Sequence, residues 1–98
     1  MIFSIEIDPQ VYLELEDSIL YYEAKQTGLG IKFLEYWEAS IEYLAKHPYS
    51  LQRVFKEHRQ ISLDKFPYLL IYKIEGNKIL VYRLINSKRH PARRYKKQ

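Results

Sequence analysis

The 98-residue chain contains no cysteine. That excludes a disulfide scaffold, a thiolate zinc site and a cysteine nucleophile, and it suits a reducing compartment. Glycine is scarce, at three residues, and no P-loop or GxGxxG can be assembled from them; all three read as turn residues. No apolar run is long enough for a membrane span, and the first ten residues carry no basic residue of a signal peptide, so a cytoplasmic location is expected. The histidines, His47, His58 and His90, show no HxxxH or HExxH spacing. No metal site and no cofactor are therefore expected. Acidic residues are scarce in one half only. Residues 51–98 hold thirteen Lys/Arg against Glu57, Asp64 and Glu75, a net of +10, whereas residues 1–50 hold three against nine, a net of −6. Such a split points to a basic surface for nucleic acid or an acidic partner; the plainer reading is that the charges only solvate opposite faces.

What the chain does have is apolar and aromatic material, at 47% and 15% of residues with ten tyrosines, enough for the core of one domain. The organising stretch is 66–91, FPYLLIYKIEGNKILVYRLINSKRHP. Segments 68–75 and 78–86 are rich in branched and aromatic residues and read as two strands joined at Gly76-Asn77, where Gly in first place fits a type II′ turn. Counting outward from that turn, Ile74 faces Ile79, Tyr72 faces Val81, Leu70 faces Arg83 and Tyr68 faces Ile85. Leu69, Ile71, Lys73, Leu80, Tyr82 and Leu84 take the other side. Two apolar faces require helices on one, and a tail or a partner over part of the other.

Ahead of the hairpin, Ile2, Phe3, Ile5 and Ile7 predict a short strand, stopped by Asp8-Pro9, an N-cap followed by a residue preorganised for the first helical turn. A helix from Pro9 buries Val11, Leu15, Ile19 and Tyr22 and ends near residues 26–28. A second, from Leu29 or Gly30 to Lys46, buries Phe33 or Leu34, Trp37, Ile41 and Leu44 until His47-Pro48 ends it. The acidic pairs Glu14/Asp17 and Glu35/Glu38 read as solvated helix surface. Segments 53–56 and 59–63 predict two short strands around Glu57-His58. The expected fold is α+β, in the order β-α-α-β-β-β-β, with a helical hairpin packed on a mainly antiparallel meander and a basic C-terminal tail.

Within that order, Tyr21-Tyr22 in the first helix, Leu44 with Pro48 at the end of the second, Phe66-Pro67-Tyr68 opening a strand, Tyr72 four residues on, and Arg89 with Pro91 after the last strand resemble the RelE/ParE superfamily of bacterial type II toxins. The resemblance spans nearly the whole chain and implies a single toxin domain neutralised by a small antitoxin with an acidic C-terminal segment. It also implies one of two activities. RelE-like members cleave mRNA on the ribosome without a metal, using a cluster of cations with Tyr or His. On that pattern Arg89 and Tyr95 would be catalytic. Leu69, however, occupies the place of the first arginine, Gln60 and Ser62 those of strand lysines, and Asn86 that of a histidine. ParE-like members instead bind DNA gyrase, and the FPYLLIY stretch and the Arg-x-Pro ending look more like that branch. Arg83, Lys88, Arg89, Arg93 and Arg94 would then form the target-binding surface. A basic nucleic-acid-binding module without toxicity is the remaining alternative.

Overall fold

A computed structural model describes residues 3–51 and 53–88. The chain runs β1 (Ser4–Ile7), α1 (Pro9–Lys25), α2 (Leu29–Lys46), a 3-10 turn (Pro48–Ser50), β2 (Arg53–Phe55), β3 (His58–Ser62), β4 (Tyr68–Glu75) and β5 (Lys78–Asn86). The five strands form one sheet in the order β1-β5-β4-β3-β2. All neighbours are antiparallel except β1, which lies parallel to β5. The α+β architecture expected from the sequence is the one observed.

Local chemistry explains each boundary. The Asp8 carboxylate accepts from the Gln10 N–H at 2.8 Å and so caps α1, with Pro9 in the first turn. Gly28 turns the chain at φ 90, a left-handed conformation, and α2 begins. Its open N–H groups are met by Glu23, whose carboxylate accepts from Gly28 and, at 2.9 Å, from Gly30. Those two bonds hold the carboxyl below the ordinary glutamate value. A Cβ on Gly30 would lie 2.8 Å from the Ile19 carbonyl oxygen, so glycine lets the two helices touch. Gly76 sits at φ 61 in the β4–β5 turn, as the first residue of a II′ turn must.

The core lies between the helical hairpin and the sheet. Val11, Leu15, Phe33, Trp37 and Leu44 from the helices meet Leu70, Tyr72, Ile79, Val81 and Leu84 from the sheet. At one end Tyr22, Phe33, Phe66 and Tyr68 pack ring on ring, with Tyr22 stacked on Phe33 at 5.4 Å and Phe66 edge-on to both. Phe33, not Leu34, is the deeply buried member of its pair. Most of the residues that carry the family resemblance are thus packing residues. Tyr72 is one more, and its hydroxyl donates to the Pro48 carbonyl at 2.8 Å.

The sequence-based register needs one correction. It holds near the turn, with Ile74 opposite Ile79 and Tyr72 opposite Val81. Beyond that point Ile71 faces Arg83, Leu70 faces Leu84 and Tyr68 faces Asn86. One extra residue, Tyr82, is accommodated in β5, a β-bulge that counting from the turn cannot foresee. Leu84 thereby moves to the helix side of the sheet and into the core. A second correction concerns His58, which opens β3 and is buried, whereas the turn is made by Lys56 at φ 52 and Glu57.

Candidate functional site

The strand order places the exit of β5 beside the first turns of α1. β1 accompanies β5 only as far as Val81, whose carbonyl accepts from the Asp8 N–H; there the chain leaves the sheet to become α1. The rest of that β5 edge would be left with open backbone groups. Glu14 fills the gap. One carboxylate oxygen accepts from the Leu84 N–H at 2.7 Å and the other from the Arg83 Nε at 2.5 Å. The Glu14 side chain is only 13% exposed and that of Arg83 46%. Glu14 is therefore a strand-edge cap, not the solvated surface residue that its spacing with Asp17 suggested, and it aims the Arg83 guanidinium. Around them Asp17, Ser18, Tyr68 and Asn86 line a shallow polar cleft.

The last strand is tied down at its exit. Ser87 donates its N–H to the Pro67 carbonyl at 2.8 Å, and the Lys88 N–H reaches the Asn86 side chain at 2.9 Å. The Phe66-Pro67-Tyr68 motif thus serves twice, through its rings in the core and through the carbonyl that anchors the strand end. Of the residues singled out from sequence, Arg83 and Lys88 stand at this end of the sheet, both exposed. Arg89, Arg93, Arg94 and Tyr95 lie outside the described residues.

The face of the sheet away from the helices carries the positions that a RelE-like nuclease would use. Gln60 faces Ile71 and Ser62 faces Leu69 across β3 and β4, so all four positions are neutral. Ile71 and Ile85 are buried but stand apart from the helix-side core. The Lys73 ammonium meets Glu75 at 3.1 Å, and its pKa is raised by hydrogen bonds to Glu75 and then to Tyr82. Among the described residues no group of three or more acidic or histidine side chains could hold a metal ion, and no helix is long and apolar enough to cross a membrane.

Comparison with known proteins follows the same line. A family model described as "ParE toxin of type II toxin-antitoxin system, parDE" matches residues 5–91. The chain belongs to the ParE toxin family. Among solved structures it is similar to a chain of the chromosomal ParDE TA system from P. aeruginosa, with a TM-score of 0.74 at 14% sequence identity, over 87% of this chain and 96% of that one. At that identity the likeness is one of fold. No curated protein matches the chain. As a ParE-family protein it is the toxin component of a type II toxin-antitoxin system, with a cognate antitoxin as partner. The match takes in both helices and all but the first residue of the sheet.

Proposed function

We propose that this ParE-family toxin inhibits growth in the cytoplasm by binding a replication target such as DNA gyrase, not by cleaving mRNA. The observation that carries the reading is the neutral character of Gln60, Ser62 and Leu69, which face the side of the sheet where a metal-independent nuclease needs cations beside the scissile phosphate. A binding toxin needs no such set. It needs a rigid, charged surface, and the end of β5 supplies one in Arg83, aimed by Glu14, and Lys88, anchored beside Pro67. Arg89, Arg93 and Arg94 extend the same run of cations along the sequence. The antitoxin would neutralise this surface through an acidic C-terminal segment.

Two assays on purified protein test the reading. Gyrase supercoiling should be inhibited, and Arg89→Ala should relieve that inhibition while changing the folding stability by no more than about 0.5 kcal/mol. Added to translating ribosomes, the protein should leave mRNA intact. Codon-dependent cleavage that Arg89→Ala and Tyr95→Phe abolish would reverse the assignment in favour of the RelE-like nuclease.

A further inference from the structure

At the edge of the sheet opposite β1, a second group of cations is explained neither by the core nor by the last strand. Arg53 on β2 stands directly opposite Arg59 on β3. Like charges at facing positions destabilise a strand pair. The ion pairs of the described residues are Lys73–Glu75, Lys78–Glu6 and Arg83–Glu14, none of which involves either arginine. Arg59 donates to the Leu51 carbonyl and lays its guanidinium over the Tyr49 ring, 5.3 Å from the centroid. Arg53 is exposed.

The ring beside this pair is both exposed and fixed. Tyr49 is 61% exposed. Phe3 meets it edge-on at 5.9 Å. The 3-10 turn that carries it is pinned on one side by the Tyr72 hydroxyl on the Pro48 carbonyl. On the other side Ser50 Oγ donates to the His47 carbonyl and lies 2.8 Å from the Tyr43 hydroxyl. A large ring held in water, with the Arg59 guanidinium packed on it and Arg53 at the facing strand position, offers two things at once. It gives a flat surface for stacking and an unneutralised pair of forked donors. A nucleotide uses both, through its base and its phosphate. An acidic peptide would satisfy the arginines and leave the ring without a stacking partner, and a duplex would keep its bases out of reach.

We propose that Tyr49, Arg53 and Arg59 form a binding site for single-stranded nucleic acid, with one base on the Tyr49 face away from Arg59 and the adjoining phosphate between the two arginines. Arg53 and Arg59 lie on β2 and β3, across β4 from β5, and Tyr49 touches Phe3 beside the start of β5, so the site is separate from the surface around Arg83 and Lys88 at the exit of that strand.

The test is fluorescence anisotropy of a labelled single-stranded oligonucleotide of about twelve bases, a length that fits one small-domain site, titrated with the full chain. Tyr49→Leu should weaken binding roughly tenfold, the loss of one stacked base. Arg53→Gln should lower the slope of log affinity against log salt by about 0.7, one phosphate contact on a single strand. A duplex of the same length should show no dependence on Tyr49. All variants keep the same basic tail, so unchanged affinity in both would assign the binding to the tail and overturn the proposal. An equal loss on duplex would overturn it too. So would a labelled deca-glutamate peptide whose binding fell with both substitutions while that of the oligonucleotide did not, since the patch would then be a docking site for protein. Both side chains are exposed, and the melts are expected to match wild type. Should Tyr49→Leu fail to fold, the salt slope of Arg53→Gln decides alone.

Discussion

Tyr72 shows how one side chain links the two halves of the fold. Its ring is fully buried and its hydroxyl crosses to the Pro48 carbonyl, 24 positions away in the chain. Burial pushes the phenol from an ordinary 10.0 up to about 12; the Arg59 charge pulls the other way but is outweighed, and Tyr43 adds a smaller upward push. The neutral phenol is therefore favoured in the fold. Its contribution is fully present below pH 10 and is lost as pH rises towards 12, because the unfolded chain gives up this proton first. Tyr72→Phe leaves a buried carbonyl without its donor, at a cost of about 1–2 kcal/mol. In a domain of this size each kcal/mol lowers Tm by roughly 4–8 °C. Melts between neutral and strongly alkaline pH should show the mutant starting lower and falling less steeply than wild type above pH 10. Parallel curves would assign the alkaline sensitivity to other tyrosines.

At the scale of elements, the helices and the hairpin turn were legible because their signals are local. Asp8-Pro9, the 3.6-residue stripes and Gly76-Asn77 each act within a few residues. The Tyr82 bulge was not legible, since nothing in YKIEGNKILVYRL marks where β5 takes an extra residue. Nor was the role of Glu14, whose partners lie 69 and 70 positions away. Both misses concern the part of β5 beyond Val81, where β1 no longer accompanies it and the acceptor for the Leu84 N–H comes from α1. The candidate site was readable only in part for the same reason. Arg83 is visible as a cation, while the carboxylate that aims it looks like ordinary helix surface. Glu14→Ala should therefore cost about 1–3 kcal/mol, far more than an exposed glutamate, because the mostly buried Leu84 N–H loses its acceptor. Glu14→Gln should recover part of that loss by keeping a carbonyl oxygen for Leu84. Chemical denaturation of the two variants checks the order; equal, near-zero changes would return Glu14 to the solvated surface.

Over the whole molecule the charge split becomes spatial. The acidic half of the sequence builds α1 and α2, and the basic half builds β2 to β5. A partner with an acidic, partly apolar segment is thus drawn to the sheet and repelled from the helices. The toxin–antitoxin complex should form faster at low salt yet persist in moderate salt, because screening weakens the steering more than the apolar contact. Size-exclusion runs at two salt concentrations after co-expression test this, and a complex that dissociates on raising the salt would mean that charge alone holds it. The parallel pairing of β1 with β5 has a further consequence in time. Ser4 finds its partner at Lys78, so during synthesis the first strand of this sheet waits, unpaired, for its last. Contacts that close so long a loop form late and slowly. The sheet is completed only when β5 arrives, and the surface around Arg83 and Lys88 is among the last parts of the sheet to take shape.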